Sequence, residues 1–95
     1  MSKSAKALWM NDPSTNTDKV HVTVFSDGML TTYWGRKSAS LQSKSKQEPF
    51  EMFGKTVDSK LKKGYENISD KALLWSLADQ MSAEHSKILK SSYGI

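Results

Sequence analysis

Hydrophobic and polar side chains alternate in the first half of the chain, and this period of two predicts β-strands. The alternation is clearest over residues 19–25, which are also rich in β-branched side chains. Residues 5–10 are typical of a short first strand, residues 29–37 of a returning strand, and residues 41–47 alternate again. Residues 11–18 consist of turn formers and small hydroxyl side chains, which predict a polar loop after the first strand.

A hairpin is predicted at Asp27-Gly28, because this dipeptide tolerates the positive φ angles of a two-residue turn. Such a turn fixes which residues of the two strands face each other. The predicted pairs are Phe25–Leu30, Thr23–Thr32, His21–Trp34 and Lys19–Arg36 on one face, and Val24–Thr31, Val22–Tyr33 and Val20–Gly35 on the other. The valine face is expected to be the core. A three-residue turn would exchange the two faces.

The second half of the chain changes to helical spacing. An amphipathic helix that packs on the sheet is predicted after Pro49, with its end at Gly64 and its apolar stripe at Phe50, Phe53, Val57 and Leu61. Residues 65–68 suit an edge strand or a loop. A second helix is predicted from an N-cap at Ser69, with Asp70 in its first turn, to Lys90. Its apolar stripe is Leu74, Ala78, Met81, His85 and Ile88.

These elements predict an α+β fold. We expect an antiparallel sheet of four to five strands, one helix packed across it and an additional C-terminal helix. Residues 1–68 would form the domain, and residues 69–95 an amphipathic helical extension that docks on it. The extension is more apolar than one solvated helix requires, so it also suits a homodimer or another protein partner.

The amino-acid composition indicates the cellular compartment and limits the chemistry available to the chain. The chain has 95 residues and no cysteine, which fits a reducing compartment and leaves no disulfide or thiolate metal site. Neither an apolar run of membrane-spanning length nor a signal-peptide pattern is seen, so we expect a cytoplasmic protein without membrane contact. The two histidines are far apart, and neither paired carboxylates nor a glycine-rich phosphate loop occurs. We therefore expect no enzyme, no metal and no cofactor.

Charge is concentrated in the middle of the chain. The formal net charge is +4, but residues 36–63 hold eight basic residues against three acidic ones, a net charge of +5. This distribution suits a polyanionic partner as well as a solvated lysine-rich surface.

Trp34 and Arg36 are the leading candidates for contacts. They share one strand face if the strand is regular, so the indole could stack on a base while the guanidinium binds a phosphate. Lys37, Lys44 and Lys46 would add charge nearby, and Gln42 a neutral hydrogen-bonding group. An alternative stays open, in which the indole is buried in the core and the arginine covers it.

Residues 5–68 resemble a WGR domain, a small α+β module of DNA-damage-responsive poly(ADP-ribose) polymerases and of short bacterial and phage proteins. Three segments carry the resemblance: Tyr33-Trp34-Gly35-Arg36, Gln42-Ser43-Lys44-Ser45-Lys46 and Lys62-Lys63-Gly64-Tyr65. The resemblance implies that the tryptophan and neighbouring basic residues meet DNA at a strand break, near the terminal nucleotide and its 5′-phosphate. It gives Gly64 and Tyr65 architectural roles. Ser38 and Leu41 stand where the family usually has glycines.

The sequence therefore predicts a non-catalytic module that binds DNA ends or strand breaks, with RNA as a second nucleic-acid candidate. The predicted contact residues are Trp34, Arg36, Lys37, Gln42, Lys44 and Lys46, with Lys19, His21, Lys62 and Lys63 as additional contacts. The alternative is a protein-interaction or homodimerisation module that uses residues 69–95, with the basic face incidental.

Overall fold

A five-stranded antiparallel sheet forms the centre of the computed structural model, which describes residues 3–12, 17–36 and 40–95. The strand order in the sheet is β4-β3-β2-β1-β5. The elements in chain order are β1 (Lys3–Asp12), β2 (Thr17–Ser26), β3 (Met29–Arg36), β4 (Gln42–Gln47), α1 (Glu51–Lys62), β5 (Glu66–Asn67), α2 (Lys71–Asp79) and α3 (Ala83–Tyr93). The predicted α+β class is confirmed, and residues 66–67 form the predicted edge strand beside β1.

The β2–β3 hairpin has the predicted two-residue turn. Asp27 and Gly28 adopt φ angles of 50° and 82°, so both central residues are left-handed, as such a turn requires. The register follows from this turn: His21 pairs with Trp34, and Val22 pairs with Tyr33. All seven predicted pairs are present, and the three-residue alternative is excluded.

The predicted loop at residues 11–18 is too long. β1 and β2 extend into it, and Asn11 pairs with Asp18 in the same antiparallel register as the rest of the hairpin. The polar side chains there suit a turn, but the hydrogen-bond ladder of the hairpin continues through them. The remaining loop residues, 13–16, lie outside the described residues.

The valine face of the sheet is the main core, as predicted. α2 and α3 pack on it, and their buried side chains join those of β1, β2 and β3 in one hydrophobic cluster. The cluster contains Ala5, Ala7, Val20, Val22, Val24, Tyr33, Ile68, Leu73, Leu74, Leu77, Ala78, Ile88 and Leu89. The predicted docking of residues 69–95 on the sheet is therefore confirmed.

Residues 69–95 form two helices, so the single helix predicted from Ser69 to Lys90 is wrong. α2 ends at Asp79, and α3 begins after Ser82, whose hydroxyl accepts a hydrogen bond from the His85 N–H at 3.3 Å. The N-cap of α2 is Asp70 rather than Ser69, because its carboxylate accepts from the Ala72 N–H at 2.9 Å. The break lets α3 turn back, so the apolar sides of both helices reach the same sheet face.

α1 lies on the opposite face and packs against β1 and β2. The Phe50 and Phe25 rings meet edge to face with their centroids 5.1 Å apart. The predicted apolar stripe is only partly covered: Val57 is buried, whereas Phe50 remains 46% exposed. Gly64 is the predicted stop, at φ 105°, and the N–H of Tyr65 returns to the Lys60 carbonyl at 3.1 Å.

α3 also completes the outer edge of β1. The Ala5 N–H donates to Ser92 Oγ at 3.1 Å, and the Ala7 N–H donates to Tyr93 Oη at 2.7 Å. The Tyr93 hydroxyl in turn donates to the Ala7 carbonyl at 3.1 Å. The Ala7 carbonyl also accepts from the Ile68 N–H at 3.1 Å, directly after the two-residue β5, whereas the Ala5 and Ala7 N–H groups are satisfied by side chains of α3.

Candidate functional site

The candidate site lies on the face of the sheet that carries α1. Since α1 packs over β1 and β2, the part of this face formed by β4 and by the Thr32 to Arg36 end of β3 is left beside the helix without a covering element among the described residues. Leu30, at the other end of β3, is buried, with 8% of its surface exposed. Two cavities open there, with volumes of about 520 and 230 Å³. We call the larger the proximal cavity and the smaller the distal cavity.

The proximal cavity combines cations with two large aromatic rings. Its lining residues are Lys19, Val20, His21, Thr32, Trp34, Gly35, Arg36, Lys44, Lys60 and Tyr65. Four of them are basic, and no described lining residue is acidic. This arrangement can attract an anion and offer it a flat apolar surface at the same time.

Trp34 is placed by the alternation of β3. Its neighbours across the sheet are His21 on β2 and Gln42 on β4, so all three project from the α1 face. The indole is 36% exposed, because α1 does not extend over this part of β3. The alternative in which Trp34 is buried in the core is therefore wrong.

Gly35 allows a close approach on the opposite face. A Cβ atom built there would lie 3.3 Å from the Ser40 carbonyl oxygen, closer than most Cβ contacts, and 3.4 Å from Leu41 Cδ2, at the edge of ordinary van der Waals contact. Gly35 thus lets the chain pass behind the strand, while the exposed Arg36 lines the proximal cavity beside Trp34.

Lys60 and Tyr65 form the opposite side of the cavity. Lys60 Nζ lies 5.5 Å from the centroid of the Tyr65 ring, and that ring meets the His21 imidazole edge to face at 6.2 Å. The turn at Gly64 brings Tyr65 back under the last turn of α1. Neither residue is among the predicted contacts. The only sequence signals are the lysine cluster before Gly64 and the aromatic residue after it.

His21 is buried beneath these cations, with 6% of its surface exposed. Its pKa is lowered to about 4, first by burial and then by the charges of Lys60 and Lys63. The Nδ1 atom lies 3.4 Å from Thr23 Oγ1. His21 is therefore neutral at physiological pH and adds a polar edge, not a charge, to the cavity.

Lys60 is affected by its basic neighbours. Its pKa is lowered by partial burial and then by the charges of Lys63 and Lys19. These like charges repel one another, and an anion in the proximal cavity would relieve that repulsion.

The predicted contact residues do not all lie at the same place. Trp34, Arg36, Lys44, Lys19 and His21 line the proximal cavity, and Lys44 also lines the distal cavity with Lys46. Gln42 is exposed on the same face, opposite Trp34. Lys62 and Lys63 line a separate shallow cavity on α1 with Lys55, Asp58 and Ser59. Lys37 lies outside the described residues.

The described residues offer less support for metal binding, for a membrane-spanning helix or for an apolar docking surface. Among the described residues, no group of three histidine or acidic side chains is arranged to hold a metal ion. No described helix has the length and apolar character needed to cross a membrane. The apolar residues of α2 and α3 are used inside the fold, although Trp75 remains 45% exposed with Lys90 Nζ 4.0 Å from its ring centroid.

Comparisons of the chain with protein-family models, with curated proteins and with solved structures found no match.

Proposed function

We propose that this protein is a non-catalytic nucleic-acid-binding module that recognises DNA ends or strand breaks. One observation carries the proposal: two aromatic rings and four basic side chains line a single cavity whose described lining lacks a carboxylate. Base stacking on an aromatic side chain and phosphate pairing with arginine or lysine are the two interactions that nucleic-acid binding combines most often.

Recognition of an end follows from the exposed indole. In an intact duplex the bases are stacked inside, whereas an end or a break offers a free base face. Trp34 can take that face while Arg36, two residues along the same strand, binds the adjoining phosphate. The resemblance of Trp34, Arg36, Lys44 and Lys46 to the WGR pattern supports the same assignment.

The proposal is tested by fluorescence anisotropy with labelled blunt, nicked and single-stranded oligonucleotides, with an RNA strand as a further arm. Trp34→Ala should weaken binding about 5- to 150-fold, since a base stack is worth about 1–3 kcal/mol. Trp75→Ala is the matched control, because it removes an indole that is even more exposed, 45% against 36%, on the other side of the sheet, and it should leave affinity unchanged.

Salt dependence tests the phosphate contacts. Five contacts, from Lys19, Arg36, Lys44, Lys46 and Lys60, give a slope of about −3.5 in log K against log salt for a single strand. Affinity should then fall about 100-fold between about 50 and 200 mM salt. The double variant Lys44→Ala/Lys46→Ala should reduce the slope by about 1.4.

The control for this charge change is Lys71→Ala/Lys87→Ala, which removes two exposed lysines from α2 and α3. Absence of binding at low salt would overturn the proposal. So would an equal effect of the two double variants.

A further inference from the structure

The proximal and distal cavities adjoin each other on the sheet face that carries α1. Thr32 and Lys44 line both cavities, and these two residues pair with each other across β3 and β4. The β3–β4 sheet face is therefore the floor of a groove that begins at Trp34 and continues past Thr32. We call it the α1–β4 groove.

Regular spacing on both elements places their lining residues one after another along the groove. Leu30, Thr32 and Trp34 lie two apart on β3 and share the floor. Met52, Thr56 and Lys60 lie four apart on α1 and share one helix stripe, which forms the wall. From Leu30 to Arg36 the floor spans six residue steps, about 20 Å of strand.

Charge along the groove is ordered. Lys44 and Lys46 project from the same side of the edge strand β4, about 7 Å apart along it. That separation is comparable to the distance between neighbouring phosphates of an extended nucleic-acid strand. Arg36 and Lys60 continue the positive charge at the proximal end, whereas Glu48 lines the distal end and terminates it.

We propose that the α1–β4 groove holds an unpaired nucleic-acid strand of about four nucleotides, so that the preferred DNA end carries a single-stranded overhang. The bases would lie towards the floor, with one on Trp34, and the phosphates would follow Arg36, Lys44 and Lys46. This inference rests on the proposed function and adds the length and the single-stranded form of the ligand.

A single strand fits the groove better than a duplex or an acidic peptide. A duplex keeps its bases inside the stack, so it could pair with the lysines but would leave the floor empty. An acidic peptide would pair with the same lysines, but it has no flat base to place on the indole. The exposed face of Trp34 and the partly exposed Thr32 beside it match a ligand that is flat on one side and anionic on the other, whereas Leu30 is buried at the distal end.

The test is a length series of oligothymidylates from two to eight nucleotides, measured by competition against a labelled octanucleotide. Affinity should rise at least about tenfold from the dinucleotide to the tetranucleotide and then level off. Duplexes with a four-nucleotide overhang should bind more tightly than blunt duplexes of the same sequence.

Thr56→Glu probes the distal half of the groove, because Thr56 lies on its wall opposite Lys44 and Lys46. The variant should weaken hexanucleotide binding about tenfold and change dinucleotide binding little. Ser76→Glu is the matched control: it places the same charge at an exposed position of α2, on the opposite side of the sheet from the groove, and should change neither. Far-UV circular dichroism checks that both variants are folded.

The outcomes separate the two proposals. Failure of every oligonucleotide to bind overturns both. Binding that is equal for all lengths, or equal for blunt and overhanging ends, overturns the groove and leaves the proposed function intact. Equal effects of Thr56→Glu and Ser76→Glu also overturn the groove. A polyglutamate peptide that displaces the hexanucleotide at the same concentration as an oligothymidylate would overturn the single-strand assignment.

Discussion

Replacing His21 with glutamine should change how the stability of this protein depends on pH. The imidazole is 6% exposed, on β2, and its pKa is lowered to about 4 from 6.5 by burial and by Lys60 and Lys63. In the unfolded chain the same imidazole binds a proton near pH 6.5. Lowering the pH therefore favours unfolding, because the unfolded chain binds a proton at His21 more readily than the folded protein does.

The direction and magnitude of this change in stability with pH follow from the folded-state and unfolded-state pKa values of His21. Above pH 6.5 His21 is neutral in both states, and its contribution to stability is fully present. As pH falls from 6.5 towards 4, the unfolded state gains a proton that the folded state does not, so stability is lost. A gap of about 2.5 pH units corresponds to a loss of about 2.5 kcal/mol between pH 7.5 and pH 4.5.

Urea unfolding followed by far-UV circular dichroism at these two pH values measures the effect. Wild type should lose about 2.5 kcal/mol more than His21→Gln, because glutamine does not titrate and the carboxylates contribute equally to both proteins. The expected difference lies in the pH dependence, whatever the cost of the substitution at pH 7.5. Equal losses in the two proteins would refute the reasoning. So would an NMR titration that gives His21 an ordinary pKa in the folded state.

Three further substitutions test the fold by the same urea assay at neutral pH. Tyr93→Phe should cost about 1–3 kcal/mol, because it leaves the Ala7 N–H at the edge of β1 without its hydroxyl partner, although the Ala7 carbonyl keeps its hydrogen bond from the Ile68 N–H. Tyr65→Phe should cost less, and equal losses would contradict this edge role. Gly28→Ala should cost about 1–2 kcal/mol, because Gly28 has a left-handed φ of 82°. Gly54→Ala in α1 should stabilise the protein by about 1 kcal/mol, because an added Cβ there meets nothing within 4 Å. Stability changes of the same sign for both variants would contradict the turn geometry. Asp70→Ala should cost about 1 kcal/mol as the N-cap of α2, and an unchanged midpoint would contradict that cap.

The alternative function, in which residues 69–95 bind another copy or a protein partner, was based on the apolar stripe of that segment. The apolar stripe that could have met another copy is occupied by the valine face of the sheet, and Leu77 and Leu89 are fully buried there. Removal of these residues would expose the core, so a shortened chain of residues 1–68 would lose its fold along with any self-association.

The β2–β3–β4 part of the site could be predicted from the sequence because its rules are local. A two-residue turn at Asp27-Gly28 fixes the register, and strict alternation then assigns every side chain to a face. This is why Trp34 and Arg36 were expected together with Lys44, and why the structure lines one cavity with all three. Gln42 follows the same alternation but stands beside that cavity.

The residues at which α2 and α3 begin and end were less predictable from the sequence. The apolar spacing of Leu74, Ala78 and Ile88 is compatible with one long helix, and it is equally compatible with two helices that fold back on one sheet face. Asp70 and Ser82 are both good caps in isolation, as Ser69 is. Packing on the valine face selects the break, because α2 and α3 together bury more apolar surface there than one straight helix could.

By itself, the sequence predicted the strands, and a two-residue turn at Asp27-Gly28 then set the β2–β3 register and the face on which Trp34 and Arg36 stand. The structure excluded the three-residue turn that would have exchanged the two faces. Only the tertiary structure decided that this face is a groove: α1 packs over β1 and β2, and its last turn brings Lys60 and Tyr65 across from Trp34. These residues are distant in the chain, and no local pattern specifies the distance between them. Their juxtaposition follows from burial of Phe25 of the sheet and Val57 of α1 between the two elements, because burying those side chains sets where the helix lies and therefore which part of the sheet remains open.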